Sequence, residues 1–194
     1  MIDKHLDIGC GGTPRNPYSA KEVHGLDLKL RDNTDYGDAI MHEGDAVLKG
    51  FPFDDNFFDS ISAYDFIDHI PRLIYIDGHL TFPFIKFMSE VNRILKPGGK
   101  FYSVTPFFPA EKAFVDPTHV NFITKNTYKY FCVPDLWAQM YGFAGTFTKV
   151  EVKKVNFYLE VTPPKNLVKR YLYKAFTEFY PKSKQHILWE FIKS

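Results

Sequence analysis

In the run Leu6-Asp7-Ile8-Gly9-Cys10-Gly11-Gly12-Thr13-Pro14 an acid stands two residues before the first of three glycines, and Asp27 closes the next apolar stretch, Val23-His24-Gly25-Leu26. Backbone without a Cβ can bend sharply and let a ligand approach closely. A carboxylate at the end of a second strand can accept hydrogen bonds from both hydroxyls of a ribose. Together these features describe a nucleoside pocket. The third glycine of the dinucleotide fingerprint is replaced by Pro14, so a helix N-terminus aimed at a pyrophosphate is poorly supported. An acid at Asp7, buried beside the turn, repels phosphate and suits a cation. A sulfonium that also carries an ammonium group has that charge.

A second constellation lies further along, at Asp116-Pro117-Thr118-His119. A histidine with an ordinary pKa of ~6.5 can take a proton from an acceptor near neutral pH. Asp116 is the acid that could orient its ring. The same residues also read as a helix start, with Asp116 as cap and Pro117 at the first position. Tyr64 and Asp65 end a central apolar run, where open α/β sheets bind ligands. Phe107 and Phe108 could stack on a sugar or an aromatic ring, or fill a core. His42, His69, His79 and His119 show no ligand spacing, so no metal site is expected. Cys10 has no visible base beside it and reads as packing.

These residues need strands to hold them. Apolar runs place strands near 5–8, 23–27, 40–44, 59–63 and 100–105. A long helix is expected from about 73 to 95, with Ile85, Met88, Val91 and Leu95 on one face and Lys96-Pro97-Gly98-Gly99 as its stop. Pro14 and Pro17 leave little room for a helix in the first crossover. Past residue 145 the pattern alternates, with one strand through Val150, Val152, Val155, Phe157, Leu159 and Val161 and another through Ile187, Trp189 and Phe191.

Four blocks in order resemble the class I methyltransferases that use S-adenosylmethionine: Leu6 to Gly12, Val23 to Leu28, Glu43-Gly44-Asp45-Ala46 with Phe51 to Asp59, and Leu95-Lys96-Pro97-Gly98-Gly99-Lys100. The resemblance implies a Rossmann-like α/β fold: seven strands, mostly parallel, the last antiparallel, with helices on both faces. It implies that Asp7, Gly9 and Gly11 line the methionine end of the cofactor, that Asp27 holds the ribose, and that Asp45 and Ala46 meet the adenine edge with Leu28 flanking the ring. Tyr64 faces the cofactor, and Asp65, Phe107 and Phe108 border the acceptor pocket. Asp68-His69 is similar to an acid–histidine pair common at this place in the family. With the first strand expected from residue 5, no family helix is expected ahead of it to cover the cofactor, and Tyr18 is a candidate to close the site instead. The Asp-Pro-Thr-His run and the late Trp189-Glu190-Phe191 strand are similar to family branches encoded beside surface-polysaccharide genes. That likeness implies O-methylation of a glycan or sugar-nucleotide hydroxyl. N- or O-methylation of a small molecule, and cofactor binding without turnover in a scaffold subunit, are the alternatives.

The 194 residues, 45% hydrophobic and 18% aromatic, fit one folded domain. There is no basic leader before an apolar run, and two cysteines offer at most one disulfide, so a reducing cytoplasm is expected. Residues 1–148 hold 14 Lys and Arg against 19 Asp and Glu, whereas 149–194 hold 10 against 4. An acidic body argues against a nucleic-acid groove across the site. The basic end contains an insertion at about 163–184 in which Leu167, Val168, Tyr171, Leu172, Ala175, Phe176 and Phe179 recur at helical spacing. Such a helix could lie on an anionic membrane, bind a partner, or pack as a lid on its own domain.

Overall fold

In a computed structural model, which describes residues 2–194, the apolar runs assemble into one seven-stranded sheet and a separate hairpin. The strands in chain order are β1 Lys4–Ile8, β2 Glu22–Asp27, β3 Ile40–Glu43, β4 Phe58–Tyr64, the hairpin pair β5 Ile74–Ile76 and β6 His79–Thr81, β7 Leu95–Pro106, β8 Phe147–Val155 and β9 His186–Lys193. The helices are α1 Pro83–Ile94, α2 Lys112–Val115, α3 Phe157–Val161 and α4 Leu167–Phe179. The sheet runs β3-β2-β1-β4-β7-β9-β8. Pairing is parallel from β3 to β7, and β9 is antiparallel to both its neighbours. The strand order therefore reverses between β1 and β4, which places their carboxyl ends at the crevice where such sheets bind ligands.

Alternation along the strands divides the core. One face carries Leu6, Ile8, Ile61, Ala63, Phe101, Trp189 and Phe191, against which α1 lays Phe84, Phe87, Met88 and Val91. The other carries Tyr64, Val104, Leu188 and Val155, covered by Phe157 and Val161 of α3. That second face also buries polar groups. His5 bridges Ser60 (2.8 Å) and Ser62 (2.9 Å), and burial lowers its pKa to about 4, so it is neutral.

Two local expectations change. The long helix from 73 shrinks to α1, because residues 74–81 turn back as a hairpin at Asp77-Gly78, whose φ values are +50° and +79°. Asp-Gly between apolar triplets is a hairpin signal. Pro83 then opens the helix, and its ring is tolerated at the first position because no amide is needed there. The strand expected to run through Val161 stops at Val155. Asn156 accepts from Leu159 N and caps α3.

The β1–β2, β2–β3 and β3–β4 connections contain no helix among the described residues. Among these residues no helix is long and apolar enough to cross a membrane. Both cysteines are free and buried. Burial pushes the Cys10 thiol up to about 12, consistent with a packing role.

Candidate functional site

The glycine turn sits at the carboxyl ends of β1 and β2. Gly9 N donates to Leu26 O at 2.8 Å, and both Gly9 (φ +65°) and Gly11 (φ +61°) are left-handed. A Cβ at Gly9 would overlap the ring of Phe66. Gly11 N donates to Asp27 Oδ2 at 2.8 Å and Leu28 N to Asp27 Oδ1 at 2.7 Å. Asp27 thus clamps the turn with the carboxylate that the ribose reading also needs. Leu28 projects beside it, 69% exposed. On the next strand end, Asp45 Oδ1 accepts from Val47 N and Leu48 N, both at 2.9 Å, and Ala46 is buried under that turn.

Asp7 is fully buried behind the turn. It accepts from Ser62 Oγ at 2.6 Å and from Arg15 N at 2.8 Å. Burial outweighs these bonds and raises its pKa to about 6. The carboxylate is therefore ionised at neutral pH but held at a cost, the state a cationic ligand would relieve. Tyr64 lies on the same face of the sheet, its ring 4.7 Å from the Arg15 guanidinium and 5.7 Å from Tyr102. Tyr18 bends away from the turn to β9, where its hydroxyl donates to Glu190 Oε1 at 2.8 Å.

The second constellation forms where the segment after β7 folds over the end of β4. Val120 N and Asn121 N both donate to Asp68 O at 2.9 Å, and Asn121 Nδ2 donates to Ile67 O at 3.1 Å. These bonds carry His119 to Asp68, with Nε2 3.0 Å from Oδ2. The expected orienting acid was Asp116. Its Oδ1 instead accepts from the Thr118 amide (2.8 Å) and hydroxyl (2.7 Å), closing a local turn at the surface. The acid that meets the His119 ring is Asp68, 2% exposed. Its two oxygens and His119 Nδ1 have no aligned hydrogen-bond partner among the described residues. Burial raises the Asp68 pKa, while Thr105 and the two histidines oppose the shift.

His69 completes a group with Asp68 and His119 whose donor atoms lie within 4.8 Å of one another. A tetrahedral ion with bonds near 2.1 Å needs donors about 3.4 Å apart. His69 Nδ1 is also engaged with Thr118 Oγ1 at 2.9 Å. Asp68 and His119 thus form a close acid–imidazole pair, with His69 beside them and held by Thr118.

Asp65 ends β4 in a left-handed conformation (φ +45°), a strained geometry found at ligand sites. Its carboxylate is exposed, with Oδ1 3.4 Å from His186 Nε2. Phe107 is buried in the core, whereas Phe108 is half exposed against Phe114. Beside Asn121 opens a cavity of about 400 Å³ lined by Phe82, Phe84, Phe122, Tyr130, Tyr141 and Arg72. Arg72 is fixed there by Asn121 Oδ1 (3.2 Å) and Phe122 O (3.1 Å).

The sequence did not single out Phe66, Arg15, Arg72 or the pairing of Asp68 with His119. The Asp68-His69 dipeptide was visible, but its partner is 51 residues away.

A family model described as a methyltransferase domain matches residues 6–103, just over half of the chain. No curated protein matches significantly. Among solved structures, a SAM-dependent methyltransferase from Archaeoglobus fulgidus superposes with a TM-score of 0.55 at 17% identity, over 100% of this chain and 86% of that one. Phosphoethanolamine N-methyltransferase 2 of Haemonchus contortus, in complex with S-adenosyl-L-methionine, gives 0.56 at 19% identity, over 100% of this chain and 48% of that one. The [4+2]-cyclase SpnF gives 0.56 at 14% identity, over 99% of this chain and 75% of that one. Likeness at these identities establishes the fold, and the cyclase among them shows that the fold alone does not name the reaction.

Proposed function

Because the chain belongs to the methyltransferase-domain family, we propose that it moves a methyl group from S-adenosylmethionine to a hydroxyl oxygen, with a sugar or glycan as acceptor. The observation that carries the hydroxyl reading is His119 seated 3.0 Å from buried Asp68 at the joined ends of β4 and β7. A neutral amine can attack without a base, whereas a hydroxyl needs one.

The residues present fit the cofactor. Asp7 offers buried negative charge for its cationic end, the left-handed Gly9 and Gly11 bare the backbone, Asp27 offers a carboxylate for the ribose, and Asp45 with Ala46 and Leu28 flank the base. Bound there, S-adenosylmethionine supplies a methyl carbon already activated by the sulfonium.

The remaining work is positioning and proton removal. Asp68 at Nε2 favours the tautomer that carries its proton there. Nδ1 is left with a lone pair and no competing donor. Nδ1 lies beneath the protein surface, so the ring must turn or its cover part for it to receive the acceptor proton, and the carboxylate of Asp68 then balances the imidazolium that forms. Asp68 is a positioning residue in this scheme, and His119 is catalytic. The aromatic faces of the cavity beside Asn121 suit stacking against a sugar ring.

The test pairs calorimetric titration of S-adenosylmethionine with release of the demethylated cofactor over a panel of sugar, phenol and amine acceptors. His119→Ala is expected to keep cofactor affinity and lose turnover about 100-fold or more. Normal turnover in that variant, or product from amines alone, would refute the hydroxyl reading. Heat on binding with no product from any acceptor would favour a cofactor-binding subunit.

A further inference from the structure

The helix α4 is mounted the wrong way round for a lid. At 100° per residue, Leu167, Val168, Tyr171, Leu172, Ala175, Phe176 and Phe179 fill about half of its circumference. An ordinary surface helix turns such an arc into the core. Here the arc faces out: Leu167 is 77% exposed, Tyr171 74%, Leu172 60% and Phe179 83%. The residue of α4 that is buried is Thr177, on the opposite side. Arg170, Lys174 and Thr177 border a cleft of about 310 Å³ opposite Lys153 and Glu160, Thr177 buried and the two cations exposed. The polar side faces the body across this cleft, and the apolar stripe is bare.

Contiguous exposed apolar surface of this kind marks a docking face, and its surroundings identify what docks. Residues 163–184 carry six Lys and Arg against one acid, Glu178. That acid is already paired with Lys184 at 2.7 Å. Tyr171 and Tyr180 are 74% and 60% exposed, and amphipathic rings of this type settle at lipid headgroup level. The body of the chain, residues 1–148, is acidic, so an anionic surface attracts this end alone. A second copy would bring two basic rims together, which disfavours self-association through this face. The 13 residues of α4 are too few to span a bilayer but ample to lie along one.

We propose that α4 is a membrane-surface helix that seats the protein on anionic lipid, its apolar arc entering the headgroup boundary and its lysines meeting phosphate. The inference is independent of the methyl-transfer reading, because vesicle binding is measured without turnover.

The test is flotation of the full chain with vesicles of phosphatidylcholine alone or mixed with phosphatidylserine. The protein should float with the mixed vesicles, stay behind with the neutral ones, and be released by salt. Leu172→Glu with Phe179→Glu should abolish flotation while leaving the circular dichroism and melting temperature unchanged, since both side chains point into solvent. Lys165→Ala with Lys169→Ala should weaken binding about thirty-fold. Absence of flotation with either vesicle type would overturn the proposal, as would equal flotation of the wild type and the Leu172→Glu/Phe179→Glu variant. A concentration-dependent dimer abolished by that variant, in protein that ignores vesicles, would overturn it in favour of self-association.

Discussion

Replacing Asp7 by Asn should make the protein more stable and a poorer cofactor binder at the same time. Asp7 is fully buried, and its pKa is raised from 3.8 to about 6 despite hydrogen bonds from Ser62 and Arg15. At about 1.4 kcal/mol per tenfold, keeping the folded carboxylate ionised costs about 3 kcal/mol relative to the neutral acid. Asparagine imitates that neutral form. Its Oδ1 can accept from Arg15 N, and its Nδ2 can donate to Ser62 Oγ, whose proton then turns to the neutral His5. Allowing ~1 kcal/mol for less favourable hydrogen bonds, the net gain above pH 7 is about 2 kcal/mol, or roughly 4–8 °C in melting temperature for a domain of this size. The sign follows from linkage. Between pH 4 and 6 the folded state holds a proton that the unfolded chain has lost, so wild-type stability falls as pH rises through that window and is flat above it. The advantage of Asp7→Asn should therefore be full at pH 8 and vanish near pH 4. Melts of the ligand-free protein at both pH values, with titration of S-adenosylmethionine at pH 8, are the assay. Affinity should drop at least tenfold as the charge facing the cationic ligand is lost. A variant that melts below wild type at pH 8, or an offset that does not change with pH, would show that Asp7 is not a strained carboxylate.

Asp27→Ala should remove micromolar cofactor affinity while leaving the sheet intact, because its carboxylate bonds to the Gly11 and Leu28 amides at the sheet end and to no core group; titration with circular dichroism checks both halves. Gly9→Ala should cost about 1–3 kcal/mol in denaturant unfolding, from the left-handed backbone and from overlap with Phe66, and adding Phe66→Ala should recover the overlap part alone. Asp68→Asn should lower kcat by about tenfold to 100-fold and shift its pH profile, whereas Asp116→Ala, which breaks a surface turn with Thr118, should leave both nearly unchanged; equal losses in the two would return Asp116 to the site.

The legible part of this protein was its local order. Short apolar runs marked the parallel strands, of which β1 and β4 are buried on both faces, and alternation marked the last two, where burial on a pleated surface imposes period two. The glycine turn with Asp7 and Asp27 was equally readable, since left-handed backbone and a buried acid are demands on single positions. The hairpin at Asp77-Gly78 was written in the chain too, but the helical period of residues 85–95 was extended across it. What could not be read were choices between distant equals. Asp116 is three residues from His119 and Asp68 is 51 away, yet two amides donated to the Asp68 carbonyl bring the far acid to the ring and leave the near one to Thr118. The outward mounting of α4 was undetermined for the same reason. Its periodicity specifies an apolar arc but not its direction, and only the burial of Thr177 on the far side, beside the cleft toward β8 and α3, turns that arc to solvent. Period and composition are properties of a segment, whereas direction and partnership depend on what the rest of the chain leaves beside it.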